Sequence, residues 1–115
     1  MPATPSDPAT IDALASFLHG RRVAVLTGAG CSTDSGIPDY RGPDGTLRTR
    51  EPMRYQVFMG SEEARRGYWS RSMVGWPRFR QASPNDAHRA LAVMERTGLL
   101  SGVITQNVDG LHQAA

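Results

Sequence analysis

Three features of this 115-residue chain predict an α/β fold built on a parallel sheet. Two short apolar runs, Val23-Ala24-Val25-Leu26 and Gly102-Val103-Ile104-Thr105, lack the alternation of a half-exposed strand and have the character of buried parallel strands. A helical segment precedes each run. Each run also passes directly into a turn of small polar residues. This is the opening of a doubly wound sheet, whose strands need helices on both faces.

The first helix opens at Asp7-Pro8, with Asp7 as N-cap and Pro8 at the first helical position, and Ile11, Leu14, Ala15 and Leu18 share a face. Gly20 ends it. Residues 32 to 60 carry Gly36, Pro38, Gly42, Pro43, Gly45, Pro52 and Gly60, a punctuation that permits loop and at most short helical turns. A loop of that length is usually functional. Residues 61 to 80 read as an irregular helix anchored by Tyr68, Trp69, Met73 and Trp76, with Pro77 expected to stop it. The next helix is expected to start at Ser83 as N-cap, with Pro84 at N1 and Asp86 at N3 in a capping-box pattern. Ala87, Ala90, Leu91 and Met94 share its face, and Gly98 is its left-handed C-terminal cap.

The length fits one domain, residues 1–115, with no room for a second. Cys31 is the only cysteine, which excludes an internal disulfide and any multi-cysteine metal site within the chain. The three histidines have no ligand spacing, so no metal site is expected from them either. His19 reads as a favourable charge at a helix C-terminus, His88 as a helix-surface residue and His112 as a packing or helix-start residue. The first twenty residues hold neither a basic cluster nor a long apolar run, so the expected location is cytoplasmic and no membrane partner is expected.

All thirteen basic residues are arginine. Residues 41 to 80 hold nine of them against four acids, net +5, so the middle of the chain is where an anion would be drawn. Basic runs with interleaved aromatics are missing, and nucleic acid is not an expected partner.

If the two strands are parallel neighbours, their following turns open on one sheet edge, which is where ligands bind in open α/β sheets. Gly28 and Gly30 let a backbone approach closely, and amides at the start of the next helix favour a phosphate. A plain tight turn would account for these glycines as well. The common dinucleotide fingerprint is not met, because Thr33 stands where its third glycine belongs.

The continuation decides between these readings. GAGCSTDSGIPDYR from Gly28 to Arg41 resembles the NAD-binding motif of the sirtuin (Sir2) family, and TQNVDGLH from Thr105 to His112 resembles the family's second motif, in the same order. Gly67-Tyr68-Trp69-Ser70-Arg71, Val74-Gly75-Trp76-Pro77 and Pro84-Asn85-Asp86-Ala87-His88 resemble the class II subgroup that includes mitochondrial sirtuin 4. The resemblance covers nearly the whole chain. It implies the N-terminal part of a Rossmann-like doubly wound sheet and an NAD-dependent protein-lysine deacylase, whose substrate is an acyl-lysine protein or peptide. The acyl group passes to ADP-ribose as nicotinamide is released.

By this resemblance Gly28, Ala29 and Gly30 pack against the NAD pyrophosphate, with Ser32 and Arg41 supplying hydrogen bonds and charge. Ile37, Pro38, Asp39 and Tyr40 lie near the nicotinamide, Tyr40 standing where the family usually carries Phe. Gln106 contacts the ribose, Asn107 the ribose and a bound water, and Asp109 the nicotinamide carboxamide; Asn107 and Asp109 are the catalytic residues. Tyr68 and Arg71 match a pair with which related sirtuins grip acidic acyl groups.

The family's general-base histidine lies in a Leu-His-Gly segment farther along than Asp109, and its zinc is held by paired Cys-x-x-Cys; residues 1–115 contain neither. The chain is therefore expected to be a partial domain, with exposed strand edges and inactive alone. A non-catalytic NAD or ADP-ribose module and a protein ADP-ribosyltransferase remain alternatives, and an unrelated nucleotide-binding α/β protein is a more distant one.

Overall fold

The computed structural model describes residues 7–42, 44–47 and 51–115. Pro43, Arg48 and Arg50, which contribute to the Gly/Pro-rich and basic middle stretch, lie outside the described residues.

Helix α1 (Pro8–Leu18) starts as its sequence dictates: Asp7 is the N-cap and accepts from Ala9 N at 3.4 Å. His19 caps its end, and Gly20 leaves at φ +70°, a left-handed step that favours glycine. Strand β1 (Val23–Thr27) pairs in parallel with β2 (Leu100–Thr105), Ala24 against Gly102 and Thr27 against Thr105. Between them the chain runs through a 3₁₀ helix (Ala29–Ser35), α2 (Tyr55–Gly60), α3 (Glu62–Gln81) and α4 (Asp86–Arg96). A last turn, α5 (Leu111–Ala114), follows β2. Among the described residues the sheet has two strands.

Cover on both faces, expected from the apolar runs, is present on one. Helix α4 packs on β2, and Val103 and Thr105 line one groove with Leu91, Ala92 and His112 of α4 and α5. The opposite face is open, with Leu26 68% and Ile104 67% exposed. Helix α1 does not close it, since Ile11, Leu14 and Phe17 are themselves exposed. Buried apolar side chains among the described residues are Ile37, Leu100 and Leu111. The surface area is 9116 Å², whereas a typical monomer of this mass exposes about 6,200 Å². The radius of gyration of 17.0 Å likewise exceeds the roughly 13 Å of a compact domain of similar length.

Helices α2 and α3 form their own small apolar unit. Phe58 meets Tyr68 and Trp69 edge-on, with centroids 5.3 and 6.4 Å apart. Arg65 of α3 donates to the Phe58 and Met59 carbonyls at 3.0 Å and satisfies the end of α2. Pro77 does not stop α3, contrary to expectation: the helix continues to Gln81. Proline removes the donor that would reach the Met73 carbonyl, but Met73 is 75% exposed and solvent can satisfy that group.

The start of α4 also departs from the sequence expectation, by two residues. Asn85, not Ser83, is the N-cap, and its Oδ1 accepts from Ala87 N at 2.9 Å and His88 N at 3.3 Å. The third position is His88, whose Nδ1 accepts from Asn85 N at 3.2 Å and closes the capping box. Asn85 outcompetes Ser83 because its amide does a second task, donating to Cys31 O at 2.8 Å. Gly98 has φ +78° just past the helix, as expected. Asn85→Ala should therefore cost about 1–2 kcal/mol in denaturant unfolding, and Ser83→Ala less than about 0.5 kcal/mol. Equal effects would return the cap to Ser83.

Candidate functional site

Parallel pairing sets the ends of β1 and β2 side by side, so the two motif-bearing turns open on one edge. Gln106 N donates to Thr27 O at 3.0 Å, and Thr27 Oγ1 donates to Thr105 Oγ1 at 2.9 Å, carrying the pairing past the strands. The turns then bond to each other. Asn107 Nδ2 donates to Gly28 O at 3.0 Å and to Ser32 Oγ at 3.2 Å, and Ser32 Oγ donates to Asp109 Oδ2 at 2.6 Å. Asp109 Oδ1 accepts from Leu111 N at 3.0 Å and starts α5.

Ser32 is fully buried, so its hydroxyl does not face an open phosphate site. It holds the second motif to the first instead. His88 is the third member of this network and is 1% exposed, which corrects its reading as a helix-surface residue. Because Asn85 N–H occupies Nδ1, the ring carries its proton on Nε2, 3.5 Å from Ser32 Oγ. Burial, and then the neighbouring His112, push its pKa below the ordinary 6.5 and keep it neutral. The sequence held a signal for this residue: Asn-x-x-His is a capping box if histidine is allowed as the acceptor.

Ala29, Gly30, Asp39, Tyr40 and Arg41 of the first motif line a cavity of about 450 Å³ together with Leu47, Glu51 and Pro52. Crowding within the chain does not demand glycine here. A Cβ at Gly30 would meet nothing within 4 Å, and one at Gly28 would make an ordinary 3.5 Å contact with Gln106 Nε2. Glycine at 30 thus keeps the cavity open to an incoming group. Arg41 lines that cavity while donating from Nη1 to Gly45 O at 2.9 Å. Ile37 is 5% exposed and belongs to the core, whereas Pro38 and Gln106 are exposed. Gly36 ends the 3₁₀ helix at φ +84°, and Arg78 Nη2 donates to its carbonyl at 3.1 Å, tying α3 to the motif.

Tyr68 and Arg71 lie elsewhere, at a neighbouring cavity of about 730 Å³ that also includes Trp76, Phe79 and Val108. Tyr40 lines both cavities, as do Glu51 and Pro52. The histidines lie outside both. His19 caps α1, and His112, in the first turn of α5, has Nε2 2.8 Å from Thr27 Oγ1. Cys31 is half-buried, and burial, then Asp109, push its thiol above the ordinary range, so it is not an activated nucleophile.

Residues 28–115, carrying both turns, match the model of the Sir2 family. The chain belongs to this family. It is 55% identical over 116 residues to NAD-dependent protein deacetylase 1 of Streptomyces coelicolor, covering 99% of this chain and 39% of that protein. It is 56% identical over 106 residues to the NAD-dependent protein deacetylase of Bordetella pertussis, covering 91% of this chain and 39% of that one. Among solved structures, a Sir2-p53 peptide-NAD+ complex superposes with a TM-score of 0.70 at 38% identity, over 90% of this chain and 41% of the other. Sir2 bound to acetylated peptide gives 0.65 at 33% identity, over 90% and 40%. The chain thus spans about two fifths of the length of the relatives it matches. These likenesses agree with the α/β parallel-sheet class read from the sequence.

The neutral His88 gives this Sir2 segment a defined pH dependence. Its folded pKa is depressed, so the unfolded chain binds the proton first and stability falls as pH drops below 6.5. The loss ends once the folded ring also protonates. Denaturant midpoints measured down through this range should slope for the parent and flatten in His88→Gln; identical slopes would disprove the assignment.

Proposed function

We propose that this chain is the cofactor-binding part of an NAD-dependent protein-lysine deacylase that transfers the acyl group of lysine to ADP-ribose. The observation that carries the reading is the junction of the two motifs, in which Asn107 bonds Gly28 O and Ser32 bonds Asp109 at 2.6 Å. Relatives sharing these turns are NAD-dependent protein deacetylases.

The residues fit a dinucleotide. The first cavity combines an open glycine, Gly30, with the Arg41 guanidinium, which suits a diphosphate. Bound NAD+ would supply the departing nicotinamide and the ribose carbon that receives the acyl oxygen. Gly28 to Gly30 admit the pyrophosphate and Arg41 supplies its charge. Both Nδ2 protons of Asn107 are engaged, so Oδ1 is the acceptor it offers to a ribose hydroxyl or water. Asp109 is fixed by Ser32 and Leu111 N and presents its remaining lone pairs to the nicotinamide amide. Tyr40 screens the space between the cavities from water.

The second cavity suits the acyl chain. Trp76, Phe79 and Val108 are apolar walls, and Tyr68 and Arg71, one turn apart on α3, would grip an acidic acyl terminus. With the Gly67–Arg71 and Pro84–His88 sequences, this supports a place in the sirtuin 4-like subgroup. The general base and the Cys-x-x-Cys zinc module would come from polypeptide outside residues 1–115, and this segment alone would bind NAD weakly and turn over no substrate.

One observation favours a second reading, a non-catalytic ADP-ribose module: none of the three histidines faces either cavity. Joining this chain to the portion of the S. coelicolor relative beyond the matched region separates the two. Nicotinamide release should require an acyl-lysine peptide, and Asp109→Asn should lower kcat at least about tenfold. Binding of ADP-ribose without peptide-dependent release would leave only the module. In the same fusion Arg71→Ala should reduce succinyl-lysine turnover about tenfold or more and spare acetyl-lysine; parallel losses would remove Arg71 from acyl selection.

A further inference from the structure

Outside both cavities, three side chains from separate elements converge: Cys31 of the 3₁₀ helix, His88 of α4 and His112 of α5. One ligand atom from each lies within 4.8 Å of the other two. The sequence separates them widely and gives no metal-binding spacing. The two imidazoles are stacked edge to face with centroids 4.7 Å apart.

We infer that Cys31, His88 and His112 form a binding site for one thiophilic transition-metal ion, for which zinc is the natural occupant. Thiolate with two imidazoles is a borderline-soft donor set that suits Zn²⁺ and leaves a fourth position to solvent. It is distinct from the paired-cysteine module of the family. A groove of about 330 Å³ between α4 and α5, lined by His88, Thr105, His112 and Glu95, opens the cluster on the side of half-buried His112.

The protons balance simply. Cys31 releases its thiol proton to solvent on ligation. Both imidazoles ligate in the neutral form, and His88, bound through Nε2, moves its ring proton to Nδ1. That step breaks the 3.2 Å bond from Asn85 N and withdraws the donor 3.5 Å from Ser32 Oγ. Metal binding is thereby set against the capping box, so the affinity falls below that of a dedicated four-ligand site. It also removes one contact from Ser32, the residue that holds Asp109.

Cobalt(II) titration of the 115-residue chain tests the assignment, because thiolate ligation produces a charge-transfer absorption in the near ultraviolet that imidazole alone does not. The parent should show this band at one equivalent and lose it to added Zn²⁺. Cys31→Ser should abolish it and His112→Gln should weaken metal binding at least about tenfold, both with unchanged far-ultraviolet circular dichroism. His19→Gln, remote at the end of α1, should change nothing. A missing band in the parent, a band retained in Cys31→Ser, or equal zinc binding by the urea-unfolded chain would overturn the site.

Discussion

The 2.6 Å hydrogen bond from Ser32 to Asp109 is the constraint on which the rest of the site depends. It joins positions 77 residues apart and lies beneath the surface, where Ser32 also accepts from Asn107 and faces His88 Nε2. A buried hydroxyl with this many partners is well satisfied, and removal of any partner leaves a desolvated polar group behind. The bond fixes the orientation of both the Asp109 carboxylate and the Asn107 amide. His88 is in turn fixed by the α4 cap, so the geometry of the motif turns is inherited from the start of a helix that touches neither cavity.

Polar order and apolar disarray divide the molecule. The strand ends are linked by a continuous hydrogen-bonded set from Thr27 through Thr105, Asn107, Ser32 and Asp109. Behind them Leu26 and Ile104 stand open on one sheet face, and Ile11, Leu14 and Phe17 of α1 are exposed. The hydrophobic effect has little to act on when, among the described residues, three apolar side chains are buried. The described residues thus join two turns by hydrogen bonds with little apolar burial behind them.

Local rules made much of this readable. Asp7-Pro8, Gly20, Gly98 and the two apolar runs each name a conformation, and those conformations are present. Parallel pairing then follows from the runs, and with it the meeting of the two motifs. The misreadings have a common physical origin in competition between local candidates. Ser83-Pro84 is a sound helix start in isolation, but Asn85 prevails because it also reaches Cys31 O, a contact no local pattern contains. His88 looked external because helical periodicity says nothing of a side chain that bends back to its own cap. Pro77 looked terminal because proline removes a helical donor and crowds the preceding turn, and here the Met73 carbonyl left without that donor lies on an exposed stretch. The Cys31, His88 and His112 cluster was illegible for the same reason, being a product of three turns meeting.

The three histidines clarify what kind of chemistry this segment can perform. A general base needs a free nitrogen within reach of a reacting hydroxyl. His88 has Nδ1 engaged by a backbone amide and Nε2 directed at a buried serine, His112 is engaged by Thr27, and His19 caps a helix far from either cavity. What the cavities do present is the side chains of Arg41 and Arg71, of Asp39 and Glu51, and aromatic walls. These groups position charge and exclude water. Such groups suit orientation and electrostatic stabilisation of a charged ligand, the part given to them in the proposed function.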